Sequence, residues 1–158
     1  ENAELSPLST YGLSKHLAEN IFSFFCKSNM ISGVILRIPG VYGGNRKSGF
    51  IYNTALKCIN NETININTIG LGYWETIHIN DLCLWINEFL TNYNWECSID
   101  IFNLSYGTKT DIIECAYFIK KILNSSAKVI LEGDRDYVDL FIDNTKIKKY
   151  TCDQDRLK

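Results

Sequence analysis

Residues 8–20 read LSTYGLSKHLAEN, which sets Tyr11 and Lys15 four apart within a frame of small polar residues, Ser9, Thr10, Gly12 and Ser14. On a helix, positions i and i+4 share one face, so the phenol and the ammonium are offered to the same bound molecule. A fixed positive charge close to a phenol favours its phenolate, which is the requirement for a tyrosine that exchanges protons near neutral pH. The spacing alone decides little, because Tyr117 and Lys121 repeat it. What separates the two pairs must lie in their surroundings.

Such a pair works only if a scaffold holds it against a ligand. Leu13, Leu17, Ile21, Phe24 and Phe25 recur at helical spacing behind Pro7 and a Ser/Thr start, which predicts a long helix from Ser9 to about Asn29. SGVILRIPGVYGG is a β-branched run closed by Pro39 and Gly40, as expected of a buried parallel strand ending in a loop. GFIYNTALKCIN reads as a helix, and TININTI and WETIHIN read as strands. Asp81 is placed to cap a helix over DLCLWINEFLTN. SIDIFNLS is then a strand, TKTDIIECAYFIKKIL a helix capped by Thr108 or Thr110, AKVILEG a strand and DNTKIKKY a closing helix. The alternation predicts an α/β domain with parallel character and no linker long enough to part it.

The bulk numbers exclude several classes. The chain has 158 residues, 46% of them apolar and 22% charged, with a net charge of −2. Acidic and basic residues are interspersed, so no nucleic acid or anionic membrane is expected as a partner. Lys146, Lys148 and Lys149 read as a solvated helix face. The six cysteines never fall at the two-residue spacing of a zinc site, and neither His16 nor His78 has a partner at ligand spacing, so no metal is expected. The thiols read as reduced and mostly buried, as in a cytoplasmic protein. No apolar run reaches the ~18 residues that span a bilayer.

In order along the chain, STYGLSKHLAE, LRIPGVYGG, IHINDL and IFNLSYGTKTDIIECAYFI resemble the second half of an extended short-chain dehydrogenase/reductase. The resemblance is to the NAD-dependent epimerase/dehydratase family, which acts on nucleotide sugars. It implies the C-terminal part of a Rossmann-like, doubly wound parallel sheet with a small substrate-binding region. Residues 1–45 would be the last helix and strands of the dinucleotide-binding domain. Residues 46–158 would be mainly the substrate-binding region, interleaved with the end of the sheet. By resemblance Tyr11 exchanges a proton with a sugar hydroxyl, while Lys15 binds the nicotinamide ribose of NAD or NADP. Ile38, Pro39 and Gly40 take the positions of the loop that covers the nicotinamide. His78 and Asp81 match the family's "IHVxD" signature and read as scaffold, and His16 reads as exposed.

The departures from the family pattern concern the substrate. Many relatives carry an asparagine at the place of Gly40 and an arginine at that of Trp74, and the loop between Gly72 and Ile77 is two residues short. Arg46, Lys47 and Arg135 are the candidates to hold a diphosphate in compensation, and Trp74 or Tyr73 to stack on a nucleobase. No Gly-x-x-Gly-x-x-Gly follows a strand.

The expectation is therefore one half of an NAD(P)-dependent nucleotide-sugar epimerase, dehydratase or reductase, inactive as this segment alone. A non-catalytic binding module or gene relic that kept the fold, and a redox sensor of nicotinamide state, are the alternatives. The apolar excess of ENIFSFFC makes the Tyr/Lys helix a candidate homodimer surface.

Overall fold

The computed structural model describes residues 1, 3–67, 73–96, 99–133 and 140–151. In chain order the elements are α1 (Thr10–Asn29), β1 (Gly33–Arg37), β2 (Gly40–Tyr42), α2 (Phe50–Ile59), β3 (Ile64–Ile66), β4 (Tyr73–Trp74), β5 (Thr76–His78), α3 (Ile79–Asn92), β6 (Ile99–Asn103), β7 (Thr110–Asp111), α4 (Ile112–Ile122) and β8 (Val129–Leu131). The chain forms two compact units. One comprises Glu1–Ile38, Trp85–Leu104 and Asp143–Lys158, the other Pro39–Leu84 and Ser105–Ile142.

In the first unit β1 and β6 pair in parallel, Gly33 opposite Ile99 and Arg37 opposite Asn103. The N–H of Leu104 extends the ladder to the Arg37 carbonyl at 2.9 Å. The α1 helix lies on this pair because Gly33 has no side chain: a Cβ there would come within 2.6 Å of Cys26 Sγ and 2.8 Å of the Phe22 ring. Ser9 caps the helix by accepting the Gly12 N–H, and Met30 ends it in the left-handed conformation. Phe89, Tyr93, Phe102 and Tyr150 pack mostly edge to face as the aromatic centre of this unit. Lys146 is not on a solvated face: its ammonium reaches Asp100 Oδ1 at 2.5 Å and the Ile101 carbonyl at 2.7 Å. The closing helix is only a 3-10 turn, Ile147–Lys149. Just upstream, Asp143 Oδ1 accepts both the N–H and the hydroxyl of Thr145, which favours a local turn over a longer helix.

In the second unit β2 pairs with β5 and β3 with β8, both in parallel, while β4 and β7 form a short antiparallel contact. Helices α2 and α4 pack together over a core of Cys58, Ile64, Ile66, Ile112, Ala116 and Ala127. Two caps differ from the sequence expectation. Asp111, not Thr108 or Thr110, caps α4, its carboxylate accepting the N–H groups of Ile113 and Glu114 at 2.7 and 2.9 Å. Two such bonds to an ionised oxygen exceed what one threonine hydroxyl offers. Helix α3 begins at Ile79, which puts Asp81 inside its first turn rather than at its cap. Cys26 and Cys58 are buried, whereas Cys115 is half-buried and Cys83 exposed; all four are free thiols.

Candidate functional site

The face of α1 that carries Tyr11 and Lys15 is presented outward. Tyr11 is 73% exposed, and the Lys15 ammonium stands 5.2 Å from the centre of its ring. Both side chains line a groove of about 600 Å³ together with Ala18, Glu19, Phe22 and the β1 run Val34–Ile38. The small side chain of Ala18 keeps the groove open beside the phenol. Gly12 sits against the segment that leads into α1. A Cβ there would meet Pro7 and Ser9 at 3.3 Å, so the glycine admits the incoming chain rather than a ligand. The Ser14 hydroxyl donates to the Tyr11 carbonyl at 2.7 Å and is occupied within the helix.

The phenol and the ammonium thus share one groove, and among the described residues the ammonium makes no ion pair. Beside them lies an ion pair that inspection of motifs does not single out. Arg37, at the end of β1, holds both carboxylate oxygens of Glu19, Nε to Oε1 at 2.9 Å and Nη2 to Oε2 at 2.7 Å. Those hydrogen bonds hold the Glu19 carboxyl below its ordinary range against the opposing effect of burial. The available signal was helical spacing, since Glu19 follows Lys15 by four. His16 is half-buried rather than exposed; its Nδ1 is enclosed, and its Nε2 lies 3.3 Å from the Asn20 amide.

The segment after β1 differs from a simple strand-terminating loop. Ile38 is exposed and lines the groove, and Pro39 is buried. Pro39 has no N–H for a ladder, so β1 stops before it, and the chain resumes extended pairing at Gly40, opposite Thr76 of β5.

The substrate-side candidates fall in the second unit. Gly40, Arg46, Gly49, Phe50 and Trp74 line a small cavity of about 70 Å³ at the start of α2. Gly49, the N-cap of α2, supplies no side-chain hydrogen bond, so first-turn amides have no capping group. Arg46 is held over this end by its own loop, Nη1 to the Val41 carbonyl at 2.5 Å and Nε to Ser48 at 3.2 Å. Trp74 packs edge-on to Phe50, and its Nε1 is enclosed without a partner. Lys47 is exposed and does not line the cavity, and Arg135 lies outside the described residues.

His78 and Asp81 belong to a separate hydrogen-bonded cluster. The Tyr106 hydroxyl accepts the His78 N–H at 3.1 Å and donates to Asp81. The His78 ring lies on Gly43, whose φ of +90° only glycine adopts without strain, and Tyr42 packs edge-on against the same ring. Among the described residues no group of three or more His, Cys, Asp or Glu is placed to hold a metal, and no helix is long and apolar enough to cross a membrane.

Comparison with known proteins adds to this geometry. Residues 1–105 match the model of the NAD dependent epimerase/dehydratase family. A protein of Methanocaldococcus jannaschii provisionally named UDP-glucose 4-epimerase is 26% identical over 140 residues, 86% of this chain and 44% of its own. The UDP-N-acetylglucosamine 4-epimerase of Methanobrevibacter ruminantium, solved with UDP-N-acetylmuramic acid, superposes with a TM-score of 0.83 at 20% identity, over 99% of this chain and 52% of that one. The dTDP-glucose 4,6-dehydratase of Bacillus anthracis, solved with NAD, gives 0.81 at 19% identity, over 95% and 48%. At these identities the structures show a shared Rossmann-like fold, and this chain spans about half the length of the proteins it matches. The match covers the tyrosine–lysine helix, β1 and β6 in one continuous stretch: the chain belongs to the NAD dependent epimerase/dehydratase family.

Proposed function

We propose that this chain carries the tyrosine–lysine half of an NAD(P)-dependent enzyme that acts on a nucleotide sugar. The observation that supports this best is the joint exposure of Tyr11 and Lys15 to one groove, with the ammonium against the face of the phenol. NAD(P), when bound, supplies the group that accepts and returns hydride. Tyr11 takes the proton of a sugar hydroxyl as hydrogen leaves its carbon, and gives it back in the reverse sense. Lys15 binds the nicotinamide ribose and favours the phenolate of Tyr11 by its charge. Ile38, Pro39 and Gly40 cover the nicotinamide.

On this reading the unit built on α1, β1 and β6 is the cofactor side and the other unit the substrate side. Arg46 and the uncapped start of α2 bind the sugar diphosphate, with Lys47 and Arg135 as further cations and Trp74 against the base. Leu17, Ile21, Phe24 and Phe25, all exposed on α1, form the contact with a second copy.

The test is turnover of UDP-glucose by the intact protein with NAD added, in wild type and Tyr11→Phe. Loss of the hydroxyl should lower turnover about 10²- to 10⁴-fold while NADH still binds. Turnover unchanged by Tyr11→Phe rejects the role of Tyr11. NADH binding with no action on any nucleotide sugar favours the redox sensor, and no binding of either favours the non-catalytic module.

A further inference from the structure

We propose that Arg37 is a positioning residue that holds the Glu19 carboxylate away from Lys15 and so leaves the ammonium free to act on Tyr11. The inference rests on the roles given above to Tyr11 and Lys15. Lys15 and Glu19 are four apart on α1 and line the same groove, where opposite charges at that spacing ordinarily pair. A Lys15–Glu19 pair would neutralise the ammonium and draw it away from the phenol. No such pair forms. Arg37 occupies both oxygens of Glu19, and no described carboxylate lies within ion-pair distance of Lys15, whose ammonium instead faces the Tyr11 ring.

Three features make Arg37 the stronger competitor. Its planar guanidinium matches a carboxylate at two points, which an ammonium cannot do. Its backbone is fixed by the parallel ladder, opposite Asn103 and bonded to Leu104, and its Nη1 donates to the Glu1 carbonyl at 3.1 Å, so little freedom is lost in gripping Glu19. Both partners are about four-fifths buried, at 22% and 21% side-chain exposure, where water screens the pair less than it would a surface pair. The lowered carboxyl of Glu19 accords with this capture. The charged and titratable groups around Lys15 are His16 and Glu19 on its own helix, Arg37 from β1, and Glu4 from the segment before α1.

The test follows the Lys15 side chain by NMR in the intact protein, its cross-peaks to the Tyr11 ring assigned by their loss in Lys15→Met. Arg37→Gln releases Glu19 to pair with Lys15, so those cross-peaks should be lost and a Lys15–Glu19 ion pair should appear. Arg37→Gln with Glu19→Gln removes the competing carboxylate and should restore the contact with the ring. A merely structural role for Arg37 predicts that the double variant stays as altered as the single one, and that result, or no change in Arg37→Gln, overturns the proposal. If Arg37→Gln does not fold, Arg37→Lys, with and without Glu19→Gln, carries the same comparison. A Glu19–Lys15 ion pair seen in the wild-type protein overturns it without any substitution. The measurement needs neither cofactor nor turnover, so its outcome is separate from that of the enzymatic reading.

Discussion

The phenol of Tyr106 bridges the Asp81 carboxylate and the backbone N–H of His78, tying the end of β5 and the first turn of α3 to the segment after β6. Removing the hydroxyl by Tyr106→Phe strands both groups in a partly buried place, at a cost of about 1–3 kcal/mol. Denaturant unfolding should show that loss, whereas Tyr42→Phe should cost less. Burial and the neighbouring Asp81 carboxylate push the Tyr106 phenol well above the ordinary tyrosine range. Its folded form therefore holds the proton more tightly than the unfolded chain. The stabilisation is present below about pH 10 and is lost as pH rises beyond it, and Tyr106→Phe should remove that alkaline dependence.

Glu75 is 3% exposed, and neither carboxylate oxygen has a well-formed hydrogen bond. Burial raises its carboxyl, and the nearby Ser105 hydroxyl and Ile142 backbone only partly offset this. A raised folded value means that the protein is more stable when the group is protonated. Stability should fall as pH rises from about 4.5 through the folded value and then level off. Glu75→Gln should flatten this dependence and unfold at a higher urea concentration than wild type at pH 7; an unchanged midpoint rejects the assignment.

Gly33 sets how closely α1 approaches β1. A methyl group there overlaps Cys26 and Phe22, so Gly33→Ala should destabilise by about 1–3 kcal/mol through overpacking. Because Phe22 also lines the groove, NADH binding should weaken together with stability. The paired measurement is thermal unfolding with cofactor titration, and weaker binding without lower stability contradicts this account.

Lys15→Met keeps the length and apolar stem of the side chain while removing its charge. On the proposed reading it loses a charge-assisted bond to the ribose, about 1.5–3 kcal/mol, which corresponds to roughly 10- to 100-fold weaker NADH binding. Unfolding should change little, since the ammonium makes no described ion pair. Calorimetric titration of NADH reads the first effect and denaturant unfolding the second.

Periodicity and punctuation along the chain determined a good deal. The apolar spacing of Leu13 to Phe25 marked α1 to within a residue at each end, and the β-branched run from Val34 marked β1, because both signals are local and strong. The frame around Tyr11 and Lys15, with the three motifs after it, was enough to name the family. Tertiary structure decided what depends on partners distant in sequence. Asp81 looked like a helix cap until Tyr106, 25 residues on, proved to be its hydrogen-bond donor. Lys146 looked solvated until Asp100 met it from β6. Arg37 and Glu19, 18 residues apart and on different elements, carry no motif of their own. A charge or hydroxyl takes its role from whichever group folding brings within about 3 Å, and that choice is made by packing and strand register, which no local pattern encodes.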